Sequence, residues 1–130
     1  MRYRTREDLV EDFHRPVDMV DNEWTREVLD LRYKLIREEA EELLKEINKF
    51  RARSSEASKE ALLKELCDLQ YVLSGTAVQL GLPLQQGFLR VHESNMSKYV
   101  DGYALRREDG KVLKGPNYSP PVLSNLFKEV

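Results

Sequence analysis

The sequence predicts an all-α protein: a bundle of about four helices, completed by dimerisation, with a small hairpin or extended tail at its C-terminal end. Three observations carry that expectation. Apolar residues recur three and four apart over two long stretches, 24–50 and 59–80, the period of a helix with one buried stripe. Residues 21–50 contain neither glycine nor proline, so nothing interrupts the first stretch. After Asp101 the pattern loosens into alternation around Asp109-Gly110, a pair that favours a tight hairpin turn.

Residues 6–13 read as a short helix with Leu9, Val10 and Phe13 on one side, ended by Pro16. Asp21, Asn22 or Thr25 can cap the next helix, 24–50. Its stripe is Leu29, Tyr33, Ile36, Ala40, Leu43 and Ile47. The polar stretch 51–58 breaks the chain, with Ser55 or Ser58 as the following cap. Helix 59–80 carries Leu62, Leu63, Leu66, Leu69, Leu73, Ala77 and Leu80. Its second half, 69–80, has no charge on any face and is expected to be buried all round. The small residues Ser74 to Ala77 would let another helix come close. Gly81 ends this helix, and Pro83 suits the start of a fourth, 83–99, expected to bury Leu84, Phe88, Val91 and Met96.

A chain of 130 residues fits one domain, 1–130, with an appendage from about 101 onward. It buries only about two-thirds of its unfolded surface, so a partner subunit is expected to contribute to its stability. Lys and Arg number 21 against 23 Asp and Glu, a formal charge of −2. That near-balance gives no general grip on nucleic acid or an anionic membrane, and any anionic ligand must be held locally or through metal. No stretch has the length and apolarity of a membrane span or a secretory h-region. The single cysteine, Cys67, excludes an intrachain disulfide framework and fits a reducing cytoplasm.

The chemistry lies in the acidic residues. At about 100° per residue, Glu39 falls about 60° and Glu42 about 120° from Ile36, on the flank shared by Leu31 and Leu35. Glu41 falls on the opposite flank, among Lys34 and Arg37. On the next helix Glu65 and Asp68 share a flank with Ala61, Val72 and Thr76. Each pair, Glu39/Glu42 and Glu65/Asp68, has the i,i+3 spacing that puts both carboxylates on one face. Antiparallel helices would let the pairs oppose one another, and such a group repels itself unless a cation neutralises it. Oxygen-only ligands suit Mg²⁺ or Mn²⁺, which would anchor a polyphosphate. The competing reading is a set of solvated surface charges. A di-iron site asks for Glu-x-x-His on two helices, which the two histidines, His14 and His92, do not supply.

The order of EEAEE (38–42), ELCD (65–68), VHESNMSK (91–98) and DGKVLKGPNY (109–118) resembles the MazG-like, all-α nucleoside triphosphate pyrophosphohydrolases. LRYKLIREE (31–39) and DLQYVLSG (68–75) add to the likeness, which runs from Arg32 to Tyr118 and is strongest to the phosphoribosyl-ATP pyrophosphohydrolase-like or dUTP-preferring branch. The resemblance implies that Glu39, Glu42, Glu65 and Asp68 bind Mg²⁺ and that Glu38 is a further ligand or the base orienting the attacking water. It also implies that Asn95 and Lys98 hold phosphate oxygens while Lys111 and Lys114 close over them. The implied reaction is cleavage of a nucleoside triphosphate between the α and β phosphates by a homo-oligomer, at least a dimer. Two departures weigh against histidine biosynthesis: Val72 follows Tyr71 where phosphoribosyl-ATP enzymes typically carry a histidine, and the chain has an extra NMSK-plus-tail region.

The rival of another class is a non-catalytic helical dimer, a nucleotide-binding or protein-interaction module. The complete acidic set argues against it, since binding alone needs fewer carboxylates. Cys67 has no evident activating partner and is expected to be a buried or partly buried structural thiol. Trp24 reads as a hydrophobic anchor or a base-stacking ring, and His92 as a surface or hydrogen-bonded histidine.

Overall fold

The computed structural model describes residues 4–127, which contain four α-helices and no strand. The chain divides after Leu82 into two compact units, earlier than the change of composition at Asp101. The first unit holds α1 (Arg6–His14), α2 (Arg26–Ala52) and α3 (Glu56–Leu80). The second holds α4 (Leu84–Met96) and the tail.

Helix boundaries follow the local capping chemistry. Thr5 and Asp8 satisfy each other's backbone N–H groups at the start of α1, each at 3.1 Å. Pro16 lies in the short 3-10 turn Arg15–Val17, which ends at Asp18 in the left-handed region. Of the three candidate caps for α2, Thr25 is used: its hydroxyl accepts from Val28 N at 3.2 Å. Helix α3 begins at Glu56, earlier than expected, because Ser55 and Ser58 form a reciprocal box in which the Ser58 hydroxyl does the work usually given to a glutamate. Gly81 closes α3 with φ 68°, as its position required.

Helices α2 and α3 are antiparallel. Arg32, near the start of α2, donates through Nη2 to Val72 O, through Nε to Thr76 Oγ1 and through Nη1 to Gln79 Oε1, all at 3.1 Å on the far half of α3. The residue is 3% exposed, and burial holds its pKa below the ordinary arginine value. Gln79 in turn donates to Asn22 Oδ1, tying the loop before α2 to the same point. Helix α1 crosses α3 where Gly75 leaves room: a Cβ there would lie 3.0 Å from both Arg32 Nη2 and the His14 ring. The Ser74 hydroxyl donates to Glu7 Oε2 across that contact at 2.7 Å. The small-residue segment therefore admits its neighbours as expected.

Few apolar side chains are buried by this packing. Among the described residues only Val10 and Ala77 are buried hydrophobics, whereas His14, Arg32, Ser74, Gln79 and Ser94 are buried polar ones. The apolar stripes are in place but open: Tyr33 is 67% exposed and Leu63 62%. Tyr71 and Leu73 are likewise exposed, so 69–80 is not buried all round, and Phe88, Val91 and Met96 on α4 are not covered either. Cys67 is exposed rather than buried. The common reason is that a stripe read from sequence needs a facing layer, and these helices supply too few faces for all of them.

In the second unit the expected hairpin exists as paired turns. Arg106 and Val112 bridge across the Asp109-Gly110 turn, and Arg107 grips Asp109 with Nε and Nη2 at 2.9 and 2.6 Å. Arg107 thereby holds the Asp109 carboxyl below its usual range. A second, smaller turn at Asp101-Gly102, both with positive φ, bridges Val100 to Tyr103. It uses the same Asp-Gly pair, which the sequence reading recognised only at 109–110.

Candidate active site

Two turns along α2 from Arg32 lies Glu39, and back along α3 from Thr76 lie Asp68, about two turns away, and Glu65, about three. The antiparallel register fixed by Arg32 therefore brings the three carboxylates together, with one oxygen of each within 4.8 Å of the others. All three are half-buried. Burial, followed by the charges of Asp68 and Glu65, holds the Glu39 carboxyl above its usual pKa, while Lys64 opposes the shift. Lys64 Nζ lies 2.6 Å from Asp68 Oδ2 and 3.9 Å from Glu65 Oε1. Those carboxylates raise its own pKa, the hydrogen bond to Asp68 being the largest cause.

The donor set fits a small hard cation. Octahedral Mg²⁺ at about 2.1 Å per ligand places cis oxygens about 3 Å apart and trans oxygens about 4.2 Å apart, so side-chain movements of up to about 2 Å would close the group on an ion. Three protein oxygens leave three positions for water or phosphate. Neither nitrogen nor sulfur enters the group, which disfavours zinc and di-iron chemistry.

The other acidic residues are arranged differently. Glu42 is exposed and its carboxylate lies 3.5 Å from Lys45 Nζ, although its charge still contributes to raising Glu39. Glu38 is exposed beside Glu39. Glu41 pairs with Arg37 at 2.9 Å on the solvated flank, as the helical wheel placed it.

The four residues assigned to phosphate lie in the second unit. Asn95, Lys98 and Lys111 share a cavity of about 350 Å³ with Met96, Tyr99 and Val112. Lys114 does not line it; its ammonium sits 4.9 Å over the Tyr118 ring. A larger groove of about 430 Å³ runs past Leu9, Leu66, Cys67 and Tyr71. Its α3 residues lie about 160° around the helix from Glu65 and Asp68, so the helix itself separates it from the acidic cluster. Trp24 donates from Nε1 to Leu80 O at 2.8 Å, which makes it an anchor of the loop before α2.

Arg32 is the site-building residue that sequence reading missed. Its signal was present: it lies about 40° from Ile36, a lone cation inside the apolar stripe.

A helical pair carrying a three-carboxylate group that could hold a metal ion is the class of protein that the fold and site define. The phosphoribosyl-ATP pyrophosphohydrolase (PRA-PH) family profile matches residues 7–95, and the chain belongs to that family of pyrophosphohydrolases. A search of curated proteins finds no match. None of the helices is long and apolar enough to cross a membrane, among the described residues.

Proposed function

We propose that this protein is a Mg²⁺-dependent nucleoside triphosphate pyrophosphohydrolase of the cytoplasm, cleaving a (deoxy)nucleoside triphosphate, with dUTP one candidate, into a nucleoside monophosphate and pyrophosphate. The observation that carries the reading is the Glu39/Glu65/Asp68 cluster in a chain of a pyrophosphohydrolase family. These three carboxylates hold Mg²⁺, or Mn²⁺ in its place, and Glu42 joins them by leaving the exposed ion pair with Lys45. An ion held by these carboxylates would supply Lewis-acid chemistry, lowering the pKa of a water and offsetting charge on the departing pyrophosphate. Glu38 orients the attacking water from beside the cluster. The water oxygen bonds to the α-phosphorus, the bridging bond to the β-phosphate breaks, and pyrophosphate leaves. Asn95, Lys98 and Lys111 donate to phosphate oxygens, and Lys114 closes over them.

The open stripes on α2 and α3 support a homo-oligomer, at least a dimer, because a second copy supplies the facing layer that one chain lacks. The substrate in the family's name is not carried to this chain, which lacks a histidine after Tyr71.

The test is pyrophosphate release from a panel of canonical and damaged nucleoside triphosphates, dUTP and phosphoribosyl-ATP, with Mg²⁺ or Mn²⁺. Metal-dependent release from a nucleoside triphosphate, abolished by Asp68→Asn, is expected. A folded oligomer that releases none from any substrate overturns the reading in favour of a binding module.

A further inference from the structure

Two contacts hold the tail against the end of α4 beside the cavity that Asn95, Lys98 and Lys111 line. At the first, Gly115 passes so close to the end of α4 that a Cβ would lie 2.7 Å from the Lys98 carbonyl oxygen and 3.7 Å from Val100 Cγ2. The obstacle is backbone, which cannot swing aside as a side chain would. Gly115 is not among the glycines with positive φ, so its backbone conformation is open to any residue. What requires glycine there is the close approach alone.

At the second contact, the Ser119 N–H donates to Ser97 Oγ at 2.8 Å, and the Ser97 hydroxyl donates to Ser94 O at 2.6 Å. The Ser94 hydroxyl, buried, donates to Ser119 O at 2.7 Å. The tail is thus fixed to α4 at residues 115 and 119. One wall of the cavity, Asn95, Met96, Lys98 and Tyr99, belongs to the helix end, and the other, Lys111 and Val112, to the tail.

We propose that Gly115 and Ser97 are positioning residues that bring Lys98 and Lys111 to the separation at which both reach one polyphosphate. The inference rests on the reading that Asn95, Lys98 and Lys111 bind phosphate oxygens. A methyl group at 115 pushes the tail off the Lys98 peptide and parts the two walls without altering any phosphate-donating side chain. Loss of the Ser97 hydroxyl releases the tail at its other fixed point.

Inorganic tripolyphosphate is the probe, titrated calorimetrically into the full chain and into Gly115→Ala, Ser97→Ala, Lys98→Ala and the double variant Gly115→Ala/Lys98→Ala. Gly115→Ala and Ser97→Ala are expected to weaken binding about tenfold, the loss of one charge-assisted contact, with Mn²⁺ affinity unchanged. In the Lys98→Ala background Gly115→Ala should cost little more, because the lysine it positions is gone. Additive losses, or a lower melting temperature with wild-type tripolyphosphate affinity, mean a merely structural contact and overturn the inference. If Lys98→Ala weakens binding but Gly115→Ala and Ser97→Ala do not, the positioning role fails while the phosphate site stands. If Lys98→Ala also binds normally, the phosphate site itself fails and the inference with it. Should Gly115→Ala not fold, Ser97→Ala combined with Lys98→Ala gives the same cycle.

Discussion

Replacing Glu39 by Gln keeps the shape of the side chain and removes one charge from the cluster. Glu39 faces two like charges, with ligand oxygens within 4.8 Å, and one ammonium, Lys64, bound to Asp68. A pair of unit charges at that distance repels by about 0.9 kcal/mol in water and about 3.5 kcal/mol at an effective dielectric constant of about 20. Lys64 offsets about one of the two repulsions, and the site is half-open to water, so the lower figure governs: about 1 kcal/mol. The sign follows from linkage. The Glu39 pKa is raised, so the fold binds this proton more tightly than the unfolded chain does. That stability is present with Glu39 protonated and is lost as pH rises through the raised value. At neutral pH the metal-free Glu39→Gln protein should therefore melt about 3–5 °C higher than the native one. The gap should close at pH values below the ordinary carboxylate range. Divalent metal should reverse the order, because a ligand at a hundred times its Kd adds about 2.7 kcal/mol to the native protein and the variant lacks one ligand oxygen. Thermal melts at several pH values, with and without Mn²⁺, give both signs. A metal-free Glu39→Gln protein that is less stable at neutral pH, or that Mn²⁺ stabilises as much as the native chain, refutes the cluster as drawn.

Three further outcomes follow from named contacts. Glu41→Ala should leave turnover and melting unchanged, since its partner Arg37 lies on the solvated flank, whereas Glu42→Ala should abolish most turnover; equal effects in a pyrophosphate-release assay would contradict the assignment. Gly81→Ala should lower stability by about 1–2 kcal/mol, because φ is 68° and the new Cβ would meet Asp21 Oδ1 at 2.8 Å, with Mn²⁺ affinity retained; a melting temperature equal to wild type would show that the cap relaxes. Sedimentation at micromolar concentration should show a dimer or larger species, and a stable folded monomer would remove the partner-covered stripe.

The sequence alone determined the helices and the acidic pairs, because both depend on near neighbours. Period marks which residues share a face, and capping residues act within a turn, so Gly81 is legible as a helix end and Thr25 and Ser55 as members of short candidate sets. The placement of Glu41 among cations and of Glu39 beside apolar residues was likewise a matter of angle along one helix. Tertiary structure decided what stands opposite each face. It joined Glu39 to Glu65 and Asp68 and left Glu42 beside Lys45, a choice that depends on the register between two helices, and therefore on Arg32 reaching Val72, Thr76 and Gln79. It left Cys67 exposed, where the sequence reading expected a buried or partly buried thiol. It also closed the tail onto α4 through Gly115 and two serines that share no local pattern with it. Contacts between residues distant in sequence are selected by the packing of whole elements, and no periodicity within one element encodes them.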